Sequence, residues 1–329
     1  MATIADVAKL TGLSRSTVSR VINHYPHVSE EKIRLVRDAM EQLNYYPNAS
    51  AQKLRNQKTD TIAVLVPLLT NPFFAYLLEG IDSVATKYNL QLLVCQTKHD
   101  REKEWKFLSL LKTKQVDGVI LTAIENEWDK LTEFIEDGPI VLCNEYEKNA
   151  HVPTVGLDQV YGGYIGTKHL IEKGHQHIAH CRGRMISELS SDREAGFRKA
   201  LNEHGLAARK EWMFGDVSDI EGGKRAVREI LAMKERPTAV FTGSDQAAAG
   251  MISEAKRHGL RIPEDLAVLG FDDQQIATIT DPPLTTIKQP IEEIGQKAME
   301  LMIDIIIYKK DVKAPKIRLP FKLIERGST

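Results

Sequence analysis

The chain has 329 residues, of which 42% are hydrophobic and 27% charged, with a formal net charge of −1. That length supports two or more domains, and that balance excludes disordered and fibrous classes in favour of a soluble globular protein. No apolar run nears membrane-spanning length and the first residues form no apolar leader, so a cytoplasmic protein without a membrane partner is expected. Cys95, Cys143 and Cys181 lie in apolar runs without C-x-x-C spacing, so buried, reduced thiols are expected.

The charge is unevenly shared. Residues 1–58 carry nine Lys/Arg against five Asp/Glu, a net +4, and the remainder carries 35 against 40, a net −5. A cationic head on an acidic body suits phosphate binding at one end only.

Residues 3–23 read T-I-A-D-V-A-K-L-T-G-L-S-R-S-T-V-S-R-V-I-N. Ala8, Gly12 and Val18 have the spacing of a helix-turn-helix: a small residue at the crossing, a glycine for the positive φ of the turn, and an apolar plug. Ser14 suits the N-cap of the second helix. On that helix Val18, Val21 and Ile22 share the inner face, while Ser16, Ser19 and Arg20 lie opposite with Arg15 at the leading edge. Arginine is the usual bidentate reader of guanine and serine a less discriminating partner; Thr17 suits a backbone phosphate. The bland alternative is a pair of solvated arginines.

A third helix follows, with Ser29 as N-cap, Glu30 and Glu31 in the favourable first turn, and Ile33, Val36, Met40 and Leu43 as its stripe. Residues 48–55, N-A-S-A-Q-K-L-R, read as a short helix capped by Asn48, too short to stand alone in water. Leu54, flanked by Lys53 and Arg55, suits a minor-groove wedge; otherwise it packs on the next domain as part of a linker.

From Thr61 onward, apolar strand runs at 62–66, 90–95, 118–121, 140–143, 177–181, 239–241 and 266–271 alternate with helical segments at 74–88, 102–114, 159–173, 193–205, 221–234, 245–259 and 291–308. Continuous apolar strands between helices imply parallel sheets covered on both faces, and this many elements imply two α/β lobes. Ligands in such folds bind at the carboxyl ends of strands, here in the cleft between lobes. The candidate lining is therefore Asn71, Phe73 and Phe74 after the first strand, then Asn144, Ser244, Asp272 and Gln289 after later ones. Aromatic faces beside an amide suit a sugar or a flat heterocycle, although Phe73 and Phe74 equally suit the core face of the next helix. Asp245 reads as a possible cap, and Asp273 follows the same strand as Asp272. Arg193, read as the start of a helix, would oppose the dipole there, which favours a ligand or carboxylate partner.

No H-E-x-x-H, G-x-S-x-G or phosphate-loop glycine-lysine motif occurs, and Gly222-Gly223-Lys224 lacks the upstream glycine. His169, His175, His177 and His180 cluster in sequence without a supporting cysteine pair. No catalytic residue, no cofactor and no metal is expected.

In order along nearly the whole chain, the head sequence, N-P-F-F at 71–74, V-D-G-V-I at 116–120, R-E-A-G-F at 193–197, D-Q-A-A-A-G at 245–250, I-P-E-D-L-A-V-L-G-F-D-D at 262–273 and P-P-L-T-T-I-K-Q-P at 282–290 resemble the lactose/galactose repressor (LacI/GalR) family of bacterial transcription regulators. The resemblance implies an all-α helix-turn-helix head (1–47), a hinge helix and linker (48–59), and a two-lobe, type I periplasmic-binding-protein-like body (60–329). The first lobe would take about 60–157 and 289–319, the second about 158–288 and 320–329. It implies base contacts from Arg15, Ser16 and Arg20, Leu54 and Arg55 in the minor groove, and a hinge helix that forms only on operator DNA. It also implies an effector ringed by Phe73, Phe74, Asn144, Arg193, Ser244, Asp272 and Gln289. A homodimer would read a near-palindromic operator under control of a carbohydrate-like effector. Departures from the sugar-responsive pattern are Asn144 and Ser244, where Asp and Asn often stand, and Val217, where some members carry an aromatic ring. Two alternatives stay open: a repressor that needs a purine-like corepressor, and a cytosolic sugar sensor or enzyme with a vestigial head.

Overall fold

A computed structural model of the chain describes residues 2–23, 25–46, 58–183 and 187–329, which fall into two compact units, Met1–Thr59 and Asp60–Thr329. The segment expected to form the hinge helix, with Asn48, Leu54 and Arg55, lies outside the described residues.

The head has three helices, α1 (Ile4–Thr11), α2 (Arg15–Ile22) and α3 (Glu30–Gln42). Thr3 opens α1 with a reciprocal capping box: the Asp6 carboxylate accepts from the Thr3 amide at 2.8 Å, and the Thr3 hydroxyl accepts from the Asp6 amide at 3.4 Å. Gly12 ends α1 at φ +69°, a conformation costly for any residue with a Cβ. Ser14 caps α2, its hydroxyl accepting from the Thr17 amide at 3.1 Å. Ser29 sits at the N-cap of α3 but its side chain makes no capping bond, so Glu30 and Glu31 carry the dipole compensation there. Val7, Ala8, Val18, Val21, Val36 and Ala39 form the core, with Ile22, Ile33, Met40 and Leu43 packed around it.

In chain order the body begins with β1 (Thr61–Val66), α4 (Pro72–Ala85), β2 (Gln91–Gln96), α5 (Arg101–Lys112), β3 (Gly118–Leu121), α6 (Trp128–Leu131), β4 (Ile140–Cys143) and β5 (Thr154–Gly156). It continues with α7 (Gln159–Glu172), β6 (Ile178–Cys181), α8 (Glu188–Glu203), β7 (Met213–Phe214), α9 (Ile220–Ala232), β8 (Ala239–Thr242), α10 (Asp245–Arg257) and β9 (Ala267–Asp272). It ends with α11 (Ile276–Ile279), β10 (Thr285–Lys288), α12 (Ile291–Ile306), β11 (Lys316–Arg318) and β12 (Lys322–Ile324). The strands form two six-stranded sheets, ordered β11-β5-β4-β3-β1-β2 and β12-β10-β9-β8-β6-β7. Every pairing is parallel except β10 with β12. The chain passes between the sheets after β5, after β10 and after β11.

Both faces of each sheet are covered. Ile62, Val64 and Val66 of β1 enter one core and Ala63 and Leu65 the other, which is why the strand is apolar without alternation. Three helix pairs on the sheets touch backbone to backbone, each through a glycine from both partners. A Cβ on Gly163 of α7 would lie 2.0 Å from the Arg193 carbonyl oxygen, and one on Gly196 of α8 would lie 1.9 Å from that of Val160. Gly80 with Gly295 does the same for α4 and α12, and Gly223 with Gly250 for α9 and α10.

Two expectations are corrected. Arg193 does not start a helix: α8 begins five residues earlier, with Ser187 accepting from the Ser190 amide as its cap, so no dipole penalty falls on Arg193. Asp245 is not the cap of α10; Ser244 is, accepting from the Ala247 amide at 3.2 Å. Asp245 turns inward instead and accepts from the Thr286 hydroxyl at 2.5 Å and the Gln274 amide at 2.7 Å. The strands β5, β7, β10, β11 and β12, of two to four residues each, join the sheets without having been expected.

Candidate functional site

On the head, Arg15, Ser16 and Arg20 are exposed and Thr17 is half-buried. Val18 and Val21 hold the opposite side of α2 in the core. The Ser14 hydroxyl bonds those of Ser16 and Thr17, each at 2.8 Å, so both groups gather at the N-terminus of α2. The N-terminus of α2 thus carries hydroxyls beside the exposed Arg15, with the exposed Arg20 in its last turn, a set of donors of the kind that phosphate and base edges accept from.

In the body, a cavity of about 290 Å³ lies between the two sheets. It collects all eight residues expected there: Asn71, Phe73, Phe74, Asn144, Arg193, Ser244, Asp272 and Gln289. Each is brought in by the carboxyl end of a parallel strand or by a helix beginning beside one. Asn71 caps α4 through a bond to the Phe73 amide at 3.1 Å. Phe73 is buried in the first-sheet core while Phe74 stands edge-on to it, centroids 5.2 Å apart, so the core reading and the lining reading both hold for Phe73. Asn144, at φ +65°, and Asp272, at φ +118°, hold backbone conformations that L-residues adopt at a cost, and both face the cavity.

Arg193 is buried with its guanidinium 3.6 Å above the Phe271 ring. Its Nε donates to Gln159 Oε1 at 2.7 Å and a terminal nitrogen donates to the Gly243 carbonyl at 2.9 Å. Burial lowers its pKa to about 10, with Asp272 and Glu145 opposing the shift. Asp272 accepts from Gln289 at 2.5 Å and Gln274 at 3.0 Å. Burial raises both Asp272 and Asp245 above the usual carboxylate range; the Asp272 charge adds to the rise at Asp245, while Arg193 opposes the rise at Asp272. Among the described residues, Asn144 Oδ1, Gln289 Oε1, Gln159 Nε2 and both ring nitrogens of His180 are buried without a hydrogen-bond partner. Groups left so are costly unless something else satisfies them.

Residues not singled out from the sequence complete the wall. Glu145 accepts from the Ser187 hydroxyl at 2.8 Å, and burial raises its carboxyl to about 7. His99 Nδ1 and Glu125 Oε1 are 2.6 Å apart. Glu104, fully buried on α5, braces the loop carrying Glu125 by accepting from the amides of Glu125 and Asn126 at 2.9 and 2.8 Å. His99 follows β2, Glu125 follows β3 and Glu145 follows β4, so the strand-end rule that gives Asn144 reaches them too. His180 lies inside β6, stacked on Phe197, and carries no such signal. Val217 also lines the cavity. His169 bonds Thr329 and His175 bonds Thr238, and no group of three His, Cys, Asp or Glu among the described residues is placed to hold a metal ion. No described helix is long and apolar enough to cross a membrane.

Residues 3–48 match the profile of the bacterial regulatory proteins of the lacI family, and residues 59–326 that of the periplasmic binding proteins and sugar binding domain of the LacI family. The chain belongs to the LacI family. It is therefore a DNA-binding transcriptional regulator with a helix-turn-helix head and an effector-binding body. Over its whole length this LacI-family regulator is 44% identical to the NTD biosynthesis operon regulator NtdR of Bacillus subtilis (strain 168), all of which is covered. It is 37% identical to the transcriptional repressor PurR of Erwinia tasmaniensis, over all of this chain and 97% of that one. Among solved structures it is similar to the lac repressor dimer bound to operator and an anti-inducer, with TM-score 0.88, 27% identity, and 99% and 98% of the two chains covered.

Proposed function

We propose that the regulator is a homodimeric, cytoplasmic repressor whose two heads read the half-sites of a near-palindromic operator, and whose grip is set by a sugar or sugar derivative held between the lobes. Arg15, Ser16 and Arg20 contact base edges, Thr17 a phosphate, and Leu54 with Arg55 enters the minor groove. In the body the eight lining residues surround the effector. The observation that carries this reading is the cavity: buried, partnerless polar atoms at strand ends, in a family whose body profile is a sugar-binding one. Effector binding shifts the balance between lobe arrangements, and a coupling of about 1–3 kcal/mol suffices to switch DNA affinity.

A purine-like corepressor is the second reading, favoured by the 37% identity to PurR and by the paired rings of Phe73 and Phe74. Selection from a random duplex pool gives the operator; calorimetry against sugars and purine bases, followed by gel shifts at stepped salt, then decides. A symmetric selected site with steep salt dependence supports the repressor, and affinity indifferent to sequence refutes it. Purine bases binding where sugars do not would replace the sugar reading with the second.

A further inference from the structure

The bonds already made around the cavity leave a set of polar atoms in which acceptors outnumber donors. Its two arginines already have partners: Arg182 pairs with Glu194 at 2.8 Å, and Arg193 is held by Gln159, the Gly243 carbonyl and the Phe271 ring. Among the partnerless atoms of lining residues, Asn144 Oδ1 and Gln289 Oε1 are acceptors and the neutral His180 ring offers one donor and one acceptor, while the partnerless Gln159 Nε2, a donor, belongs to a residue outside the lining. The amide orientation of Gln289 is fixed, because its nitrogen donates to the acceptor-only carboxylate of Asp272. Beside them stands the Glu145 carboxylate, which is buried and accepts from Ser187 and from the Tyr146 amide. Arg193 is the cation that acts on Glu145, from beyond ion-pair distance and as a smaller effect than burial. Glu125, held by His99, adds another acidic side chain.

Resting on the reading that this cavity holds the effector, we propose that it accepts a ligand rich in hydrogen-bond donors and without negative charge, and that Glu145 enforces that choice. Hydroxyl or ammonium donors satisfy Asn144 Oδ1, Gln289 Oε1 and Glu145 together. A phosphate or carboxylate on the ligand brings more acceptors to acceptors and sets like charge against Glu145 and Asp272 in a medium that screens poorly. Removing the Glu145 charge relieves that repulsion, and with it part of the discrimination.

The test uses one hexose scaffold in three charge states. Calorimetry on the full-length protein with glucosamine, glucose and glucose 6-phosphate at pH 7.5 (about half a unit above the Glu145 midpoint) is expected to rank them in that order, the first and last differing by about tenfold or more. In Glu145→Gln the gap between glucosamine and glucose 6-phosphate narrows several-fold. The ranking in the unmodified protein stands by itself should the variant fold poorly. Glucose 6-phosphate binding as tightly as glucosamine, or a gap untouched in a folded Glu145→Gln, overturns the inference while leaving the cavity as a ligand site. Silence from all three sugars at tens of millimolar overturns both.

Discussion

Glu145→Gln also tests the energetics of the cavity without any ligand. Burial lifts the Glu145 carboxyl from 4.5 to about 7. Between those values the folded protein holds a proton that the unfolded chain has released, so this residue's contribution to stability falls as pH rises through the window and stays low above it. At about 1.4 kcal/mol per unit, the full shift corresponds to on the order of 3 kcal/mol, of which roughly 2–3 kcal/mol falls between pH 5 and pH 8. Urea unfolding at those two pH values, followed through Trp105, Trp128 and Trp212, gives the comparison. The unmodified protein should lose that much more stability than the variant, because Asp245 and Asp272 titrate in both and cancel. Parallel pH profiles would refute the burial cost assigned to this side chain.

Four further outcomes are expected. Arg20→Ala should lower operator affinity by about 1–3 kcal/mol, concentrated at one base position in a gel-shift series, while phosphate-driven binding to random duplex persists. Leu54→Gly should leave the unfolding transition of the body in place yet weaken operator binding; full retained affinity would remove the wedge. Arg193→Ala should abolish the effector response, since it releases Gln159, the Gly243 carbonyl and the Phe271 face at once; effector-dependent gel shifts that persist count against its place in the site. Gly163→Ala should destabilise the body by about 1–3 kcal/mol or more, read from the urea midpoint, because its Cβ would meet the Arg193 carbonyl at 2.0 Å and overpacking has no slack in backbone.

Much of this molecule is legible in its sequence. The head could be read because each of Ala8, Gly12, Ser14 and Val18 answers a local steric demand, and local demands are written in local sequence. The cavity could be read because parallel strands deliver their ends to one place, so Asn144, Ser244 and Asp272 converge by topology alone, whereas the strand that delivers Gln289 appears only in the fold. Glu104 could not: its role is to hold the amides of Glu125 and Asn126, more than twenty residues away, and nothing near it in sequence reports that. The strands Thr154–Gly156, Met213–Phe214, Lys316–Arg318 and Lys322–Ile324 escaped because two or three residues carry no pattern, and Thr285–Lys288 because its threonines interrupt the apolar run that marks the equally short Gly118–Leu121 and Ile140–Cys143. Arg193 was placed among the right neighbours for the wrong reason. Its importance comes from the Phe271 ring and the Gly243 carbonyl, partners that only the fold supplies.

The glycine-locked crossing of α7 and α8 has a mechanical consequence. Two rods whose main chains touch cannot slide by rotating a side chain, because no side chain stands between them. Arg193 sits on the second turn of a 16-residue rod about 24 Å long, so the cavity wall it forms is anchored to a crossing that has no side-chain slack.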